Sequence, residues 1–332
     1  MADNILKDLL KEYELKRLHA EQLADEKKEN LINTYPEYDK INSEIIKCGL
    51  DISREKLQSN DTNKIESLKA KLESLKNDKH NFLKSINMDE SDLLPKYDCP
   101  ICNDTGYVSS NGNLKSMCSC LKQKLINISY NKSNINKLDD ENFKNFDINM
   151  YSDEVNEEKY HSSVSPRQNM LIIKKIVDNF LANFDNSKSK NLLFTGSPGL
   201  GKTYLSNCIA KELIDSGKIV LYQTAPLMLD NILDCKFGKN TVSKDFIENI
   251  YNSDLLIIDD LGTETINNMK FTELFNIINT RILNNKKTII STNLSIQNLF
   301  SIYDERIVSR IVGYYNICKF FGDDIRFKIR NI

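Results

Sequence analysis

The stretch FTGSPGLGKTYL, residues 194 to 205, is a glycine-rich segment between two apolar runs. Gly196, Gly201, Lys202 and Thr203 fit the phosphate-loop pattern G-x-x-x-x-G-K-[ST], which requires a strand before it and a helix after it. The backbone N–H groups of such a loop curl around an anion, and the N-terminus of the helix adds further donors. The stretch therefore predicts a site for a di- or triphosphate. The residues expected to contact it are Gly196, Ser197, Pro198, Gly199, Leu200, Gly201, Lys202, Thr203 and Tyr204.

The chemistry of this site requires a magnesium ion and an attacking water. Lys202 is expected to reach the β and γ phosphates, and the Thr203 hydroxyl to ligate Mg²⁺. In DLLIIDDLG, Asp259 and Asp260 end an apolar strand, where open α/β sheets expose their ligand crevice. We expect Asp259 to hold the magnesium ion and Asp260 to act as a general base or to orient the water. An acidic turn after a strand is the alternative interpretation.

Three further polar residues fit the same chemistry less specifically. Asn293 follows the next apolar run, in TIISTNLS, and its side chain is suited to hydrogen-bond the γ phosphate or the water, although Asn is also a common turn residue. In YDERIVSRIVGYY, Arg306 and Arg310 lie four residues apart on one helical face. Fixed bidentate donors suit phosphate charge in a transition state, especially across a subunit boundary. The alternative is an exposed helix whose arginines pair locally with Asp304 and Glu305.

Four of the eight cysteines form a cluster, in CPIC and, after fifteen intervening residues, in CSC. Thiolates at these distances can close a tetrahedron around Zn²⁺, and Pro100 and Gly106 supply turns between them. The second pair is C-x-C rather than C-x₂-C, so reduced thiols and an iron–sulfur cluster stay open as alternatives. Four thiolates leave no open position, which predicts a structural rather than a catalytic zinc. The predicted ligands are Cys99, Cys102, Cys118 and Cys120.

The elements that must position these residues alternate along the second half of the chain. Short apolar runs at 191–195, 219–223, 255–258 and 288–292 are separated by helical patterns. Such alternation predicts an α/β fold in which helices cover both faces of a parallel sheet. Ser165 followed by Pro166 predicts the N-cap and first position of the helix that opens this part, which we place at residues 165–332.

The first half of the chain has a different character. Residues 1–92 read as helices interrupted at Pro36, and they offer no visible chemistry, so we expect them to bind a partner. A zinc-binding segment is predicted at 93–130 and a polar linker at 131–164. The clearest helical stripe alternates spacings of three and four and predicts a hairpin or coiled coil, with an ordinary bundle helix as the alternative. Its members are Ile65, Leu68, Leu72, Leu75, Lys79, Phe82 and Ile86.

Composition excludes several classes of protein. The 332 residues carry a formal net charge of -2, so contact with nucleic acid requires a local patch rather than a positive surface. No run approaches the roughly 18 apolar residues that span a bilayer, and the first residues are charged, unlike a secretory signal. We therefore expect a cytoplasmic protein with reduced cysteines.

The motifs of residues 165–332 resemble, in sequence and order, those of the AAA+ ATPases, and specifically of bacterial replicative-helicase loaders of the DnaC/DnaI kind. The resemblance is carried by GSPGLGKT, LLIIDDLGTE, IISTN, DERIVSRI and FGDDIR. Less tightly, YDCPICNDTGYV and CSC after a helical part look like the loaders' zinc-bearing helicase-binding region. The resemblance implies nucleotide binding by Lys202 and Thr203, and a Walker B pair at Asp259 and Asp260. It also implies sensor 1 at Asn293, an arginine finger at Arg310 and a sensor 2 candidate at Arg326.

What the resemblance implies for function is an ATPase that loads the replicative helicase, with ATP, Mg²⁺ and Zn²⁺ as cofactors. Its expected partners are the hexameric helicase, single-stranded DNA and further copies of the chain. Most AAA+ proteins have Glu where Asp260 stands, which implies weak, switch-like hydrolysis. As is usual among these loaders, we expect a fold without a full helical lid after Arg326. Lys236, Lys239 and Lys244 lie in a segment resembling the loaders' extra helices and are candidate contacts for single-stranded DNA, with a solvated face as the alternative. The alternatives are a transposition helper ATPase resembling IstB and a nucleotide-binding adaptor with negligible hydrolysis.

Overall fold

A computed structural model gives the structure of the chain and describes residues 2–58, 62–110, 114–130, 137–238, 244–265 and 267–329. The chain divides into two compact units, Met1–Cys118 and Ser119–Ile332. The division into four parts, at 1–92, 93–130, 131–164 and 165–332, stays a prediction from the sequence. Within the described residues, no helix is both long enough and apolar enough to cross a membrane.

Three long helices make up most of the first unit. They are α1 (Ala2–Thr34), α2 (Pro36–Gln58) and α3 (Thr62–Ser85). Pro36 is the first residue of α2, where its missing N–H costs no helical hydrogen bond, so the predicted break is confirmed. α2 and α3 pack against each other as a hairpin.

The predicted stripe of α3 faces inward. Between residues 62 and 82 the side chains that are not exposed are those of the stripe, the polar Lys79 included. The Lys79 ammonium group donates a hydrogen bond to Asn42 Oδ1 at 3.3 Å and lies 5.5 Å from the centre of the Tyr38 ring. The polar interruption of the stripe is therefore accommodated by a polar and an aromatic partner on α2.

A short antiparallel hairpin ends the first unit. After a 3₁₀ turn at Glu90–Leu93, β1 (Tyr107–Ser110) pairs with β2 (Leu114–Met117). These strands were not predicted from the sequence. Four residues are too few to show the alternation of a strand, and the glycines and cysteines nearby suggested only turns.

The second unit is built on a parallel sheet, as predicted. Its strands are β3 (Asn191–Thr195), β4 (Val220–Thr224), β5 (Leu255–Leu261), β6 (Lys287–Thr292) and β7 (Tyr315–Lys319). They are ordered β4-β5-β6-β3-β7, with every pairing parallel. The sequence did not predict β7, because Asn316 and Lys319 interrupt its apolar run at the sheet edge.

Helices cover both faces of this sheet. They are α4 (Ser119–Tyr130), α5 (Glu157–Tyr160), α6 (Pro166–Ala182), α7 (Lys202–Asp215), α8 (Ala225–Lys236), α9 (Lys244–Asn252), α10 (Asn268–Leu283), α11 (Ile296–Ile302), α12 (Glu305–Tyr314) and α13 (Arg326–Ile329). Successive strand residues point to opposite faces. Leu192 and Phe194 share one core with residues of α6 and α7, whereas Leu193 joins the other with residues of α8 to α12.

The segment before α6 also contributes to the core. Leu138 and Tyr151 are buried in the same apolar cluster as α6 and α7, and Phe146 packs against it. Ser165 caps α6 as predicted, because its hydroxyl accepts a hydrogen bond from the Gln168 N–H while the Gln168 side chain accepts one from the Ser165 N–H. The polar stretch ahead of α6 therefore includes side chains that hold this helix and α7 in place.

Candidate nucleotide site

The phosphate loop joins β3 to α7, and its glycines are required by close neighbours. Gly196 has φ of +144°, and a Cβ added there would lie 2.2 Å from the carbonyl oxygen of Phe320. Gly199 has φ of +77°, and a Cβ there would lie 2.1 Å from a carboxylate oxygen of Asp324. A side chain at Gly196 would meet both the backbone strain of positive φ and a clash with backbone atoms. At Gly199 the main obstacle is the positive φ, because the Asp324 carboxylate is the movable end of a side chain. The Tyr151 hydroxyl donates a hydrogen bond to the Leu200 carbonyl at 3.2 Å, which fixes the far side of the loop.

Lys202 lies at the centre of the site with its ammonium group fully engaged. Nζ donates to the carbonyl oxygens of Gly196 at 2.6 Å and Ser197 at 2.9 Å, and to Asn293 Oδ1 at 2.8 Å. Burial lowers the pKa of Lys202, although the carboxylates of Asp259 and Asp260 act in the opposite direction. The structure thus brings the predicted lysine and the predicted asparagine, 91 residues apart in sequence, into direct contact.

Asp259 is buried and receives hydrogen bonds from three hydroxyl groups. Thr203 Oγ1 donates to its Oδ2 at 3.1 Å and Tyr222 Oη at 2.6 Å, while Ser291 Oγ donates to Oδ1. Burial, followed by the charge of Asp259, raises the pKa of Tyr222 well above its usual value, so this hydroxyl stays a donor. The sequence did not identify Tyr222 or Ser291, because only strand pairing brings β4 and β6 beside the end of β5.

Asp260 has a backbone conformation that few residues adopt. Its φ is +55°, in the left-handed region, where Asp and Asn are tolerated better than most residues. The backbone N–H of Asp260 donates to Asp259 Oδ1 at 3.1 Å, and its own carboxylate is half-buried. Burial, with the neighbouring charge of Asp259, raises the pKa of Asp260, and Lys202 opposes this only in part. The two carboxylates therefore have different environments.

A second buried carboxylate, missed from the sequence, follows the Asp259–Asp260 pair. Glu264 accepts hydrogen bonds from the Gly262 N–H at 2.8 Å and from the Tyr303 hydroxyl. Tyr303 immediately precedes the segment that carries Arg306 and Arg310. Glu264 thus connects the loop after β5 to the start of α12.

The two arginines of α12 differ in their partners. Arg306 donates to both oxygens of Asp304 at 3.0 Å, the local pairing considered as an alternative from the sequence. Arg310 is half-buried and donates from Nε to Asn279 Oδ1 at 3.0 Å. Both guanidinium groups lie against the ring of Phe275, at 5.3 Å and 5.9 Å from its centre.

Arg326 begins α13 and is exposed. Its guanidinium group forms a two-pronged pair with Asp324, with Nε 2.9 Å from Oδ1. Arg326 still lies near enough to Lys202 to lower the pKa of that lysine.

A cavity of about 450 Å³ opens beside the phosphate loop, and Gly196, Ser197 and Asn293 contribute to its lining.

The candidate DNA contacts are only partly described. Lys236 donates to Glu273 Oε1 at 2.6 Å. Lys239 and the side chain of Lys244 lie outside the described residues. The helices α8 and α9, which carry this region, occupy the position predicted for the extra helices.

The four clustered thiols meet in space. The Sγ atoms of Cys99, Cys102, Cys118 and Cys120 all lie within 4.8 Å of one another, and those of Cys99 and Cys118 are 3.9 Å apart. Ligands at Zn–S distances of about 2.3 Å in a tetrahedron lie about 3.8 Å from each other, so the donor set fits zinc. The buried carboxylate of Asp104 accepts hydrogen bonds from the backbone N–H groups of Asp98 and Cys99, each at 2.9 Å, and so fixes the first turn of the cluster.

With this strand order and a phosphate loop after β3, the second unit belongs to the AAA+ class of P-loop nucleotide-binding proteins. The profile of the family described as IstB-like ATP binding protein matches residues 159–330, and the chain belongs to this family. The predicted resemblance to AAA+ proteins and helicase loaders is confirmed.

Curated relatives are named replicative helicase loader DnaC. The protein from Buchnera aphidicola subsp. Baizongia pistaciae is 29% identical over 155 residues, which are 46% of this chain and 61% of the relative. The protein from Escherichia coli K12 is 26% identical over 132 residues, 40% of this chain and 54% of the relative. The chain thus spans a little over half the length of these relatives.

Solved structures that match part of the chain include a crystal structure of the DnaC helicase loader. It has 26% sequence identity and a TM-score of 0.41, over 49% of this chain and 94% of that chain. A crystal structure of DnaI has 23% identity and a TM-score of 0.42, over 46% of this chain and 85% of that chain.

Proposed function

We propose that the chain is an ATP-dependent loader of the replicative DNA helicase. The observation that carries this proposal is the meeting of Lys202, Thr203, Asp259 and Asn293 at the carboxyl ends of β3, β5 and β6. Relatives that share this part of the chain are named replicative helicase loaders. The matching family is described as ATP binding, which supports a nucleotide site, and the roles of individual residues in using ATP are part of this proposal.

Lys202 is proposed to bind the β and γ phosphates of ATP. Its three present acceptors are two loop carbonyls and the Asn293 amide, all neutral. Charged phosphate oxygens are stronger acceptors, so the ammonium group is expected to exchange them for phosphate. Asn293 then loses its contact with Lys202, and its side chain becomes available to the γ phosphate or the attacking water.

Thr203 and Asp259 are proposed to hold the magnesium ion. The hydroxyl and the carboxylate already lie 3.1 Å apart, and both are oxygen ligands of the kind that Mg²⁺ prefers. Magnesium, when bound, neutralises developing charge on the phosphate oxygens. Tyr222 and Ser291 orient the Asp259 carboxylate by donating to its oxygens.

The cysteine cluster is proposed to hold a structural zinc ion.

Asp260 is proposed to orient the attacking water. Burial and the charge of Asp259 raise the pKa of Asp260, which suits a proton acceptor. Its side chain is one methylene shorter than the Glu of most AAA+ proteins, and we therefore expect slow hydrolysis. ATP would act as a switch, with Arg310 of a neighbouring copy contacting the γ phosphate and hydrolysis favouring release.

The first unit is proposed to bind the hexameric helicase. α1 exposes Leu15 and Leu18, which are 68% and 49% accessible, and α2 exposes Ile46 and Leu50 at 57% and 55%. Apolar side chains concentrated on exposed helices are typical of a surface that binds protein. The second unit is then left to bind ATP and single-stranded DNA and to assemble with copies of itself.

The proposal is tested by capture of the purified replicative helicase of the same cell. The full chain should retain the hexamer, and the variant with Leu15→Glu and Leu18→Glu should lose it while still binding ATP in calorimetry. The Lys202→Met variant should bind the helicase but fail to place it on closed circular single-stranded DNA. Loading by Lys202→Met at the normal rate would contradict an ATP-dependent loader.

A transposition helper ATPase is the second candidate, because the matching family is described as IstB-like. The same experiment separates the two: a transposition helper would not retain the helicase. The third possibility, an adaptor with negligible hydrolysis, predicts that ATP binds but phosphate release stays at background with and without single-stranded DNA.

A further inference from the structure

Arg310 is held by two side chains of α10 that lie one turn apart. Asn279 Oδ1 accepts a hydrogen bond from Nε at 3.0 Å, and the Phe275 ring centre lies 5.9 Å from the guanidinium carbon. Residues four apart share one face of a helix, so the ring and the amide meet the arginine together. Arg310 thus has one edge of its guanidinium group fixed by the amide and one face covered by the ring.

The rest of the guanidinium group is left available. Within the described part of the chain, the terminal nitrogens of Arg310 have no hydrogen-bond partner, and no carboxylate lies within ion-pair distance. Arg306, one turn earlier, differs because Asp304 binds its Nε and one terminal nitrogen. Asn279 is neutral, so it orients Arg310 without cancelling its charge.

The two helices that make this arrangement are firmly seated. Ile307 and Ile311 of α12 and Ile277 and Ile278 of α10 are buried in one core. The distance between Asn279 and Arg310 is therefore set by packing on both helices and not by the flexible arginine side chain alone. An arginine whose Nε is already bound loses less rotamer freedom when its two terminal groups bind a phosphate.

We propose that Asn279 is a positioning residue for Arg310, which fixes the plane of the guanidinium group so that its terminal nitrogens face a phosphate bound by a neighbouring copy. This inference rests on the proposed role of Arg310 as a residue that acts across a subunit boundary. Asn279 itself does not contact the substrate; it acts through Arg310.

The test measures steady-state ATP turnover of the full-length protein under conditions of self-assembly. Asn279→Leu removes the acceptor at similar volume and should lower kcat about tenfold, as expected from ~1.5 kcal/mol for a hydrogen bond to a charged group. KM for ATP should change less than twofold, because the residues that bind ATP within the same copy are untouched. The control is Asn276→Leu on the same helix, whose side chain has no hydrogen bond to a described residue.

Two further measurements separate positioning from a structural effect. Adding Asn279→Leu to Arg310→Ala should lower kcat no further, because the first residue acts through the second. Mixing the Asn279→Leu protein with an excess of Lys202→Met protein, which has an intact Arg310 but no lysine for ATP, should restore turnover per ATP-binding subunit. Asn279→Ala replaces Asn279→Leu if thermal melting shows that the leucine variant is unfolded.

The possible results distinguish this inference from the proposed function. If Arg310→Ala turns over ATP normally, the role of Arg310 is wrong and the inference falls with it. If Arg310→Ala is impaired and restored by mixing, while Asn279→Leu equals the parent protein or lowers kcat further in the Arg310→Ala background, only the positioning role of Asn279 is overturned.

Discussion

The ammonium group of Lys202 donates a hydrogen bond to the side-chain oxygen of Asn293 across 2.8 Å. This contact connects the loop after β3 to the end of β6, two strands that are neighbours in the sheet although far apart in sequence. A lysine held at this point by neutral acceptors is ready to accept phosphate oxygens in their place.

Replacement of this lysine should therefore remove most of the affinity for ATP. Lys202→Met is expected to weaken binding about 10- to 100-fold, from ~1.5–3 kcal/mol for hydrogen bonds to charged groups. Isothermal titration with ATP and Mg²⁺ measures the effect. The control is Lys211→Met on the same helix, where the lysine pairs with Asp215 at the surface and should not matter. Equal affinities of the two variants would contradict the proposed site.

Loss of the Tyr222 hydroxyl should weaken the use of magnesium. Tyr222→Phe removes the donor 2.6 Å from Asp259 Oδ2 and leaves the ring in place. Removal of groups that orient a metal ligand typically costs 10- to 100-fold in metal affinity, so the Mg²⁺ concentration for half-maximal ATP turnover should rise about tenfold. Tyr251→Phe, a partly buried tyrosine of α9, serves as the control. An unchanged Mg²⁺ requirement in Tyr222→Phe would show that Ser291 and Thr203 orient Asp259 without it.

The sequence was sufficient to predict the elements that follow repeating patterns. The strands β3 to β6, the helices between them, the cap at Ser165 and the break at Pro36 were all predicted, because each depends on residues close together in the chain. β7 was missed because its edge position allows polar residues to interrupt the apolar run.

The contacts that depend on strand order could not be read in the same way. Tyr222 and Ser291 belong to different strands, and only the order β4-β5-β6 places them on either side of Asp259. Asn279 likewise lies in the middle of an amphipathic helix, and nothing in its local sequence indicates a contact with Arg310, 31 residues away. Such pairs are determined by packing rather than by periodicity.

Asp260 should lower the stability of the protein at neutral pH. Its folded-state pKa lies above the ordinary value of 3.8, because of burial and the charge of Asp259, so ionisation of this group opposes folding. Well below pH 3.8 the carboxyl is protonated in both states and no penalty exists. The penalty grows as the pH rises from 3.8 toward the folded-state pKa, and it is complete above that pKa. An asparagine in place of Asp260 also tolerates the left-handed backbone found at this position, so the Asp260→Asn substitution isolates the effect of the charge.

Asp260→Asn is therefore expected to raise the free energy of unfolding at pH 7 by no more than ~1 kcal/mol, since solvent screens a partly exposed group. The gain should shrink as the pH falls toward 3.8. Urea unfolding at several pH values measures it, with the exposed Asp139→Asn as the control. ATP turnover should fall in the same variant. A loss of stability at pH 7 would mean that the Asp260 carboxylate is stabilised by a favourable interaction.

Arg281 should be among the most costly residues to replace in the second unit. It is fully buried on α10, and its hydrogen bonds go to neutral groups. Its acceptors are the carbonyls of Ile250, Ser253 and Lys287 and the hydroxyls of Ser253 and Thr288. Arg281→Met leaves these acceptors buried without a donor, so the free energy of unfolding should fall by about 3–5 kcal/mol.

Urea unfolding of Arg281→Met measures this loss, and Arg306→Met is the matched control. The side chain of Arg306 is 69% exposed, pairs with Asp304 and lies against the Phe275 ring, so its replacement should change the free energy of unfolding far less than that of Arg281. Similar values for the two variants would mean that water reaches the carbonyls around Arg281 once the guanidinium group is gone.

The cysteine cluster should bind one zinc ion per chain. Cys118→Ser removes a buried thiolate from a set whose sulfur atoms are arranged for tetrahedral coordination, so the variant should lose bound zinc and unfold more easily. Elemental analysis and a chromogenic zinc assay measure the metal, and Cys235→Ser, outside the cluster, is the control. Because thiolates must be deprotonated to bind metal, zinc release should also increase as the pH is lowered. Iron and acid-labile sulfide in place of zinc would assign the cluster to the iron–sulfur alternative, and absence of any metal to free thiols.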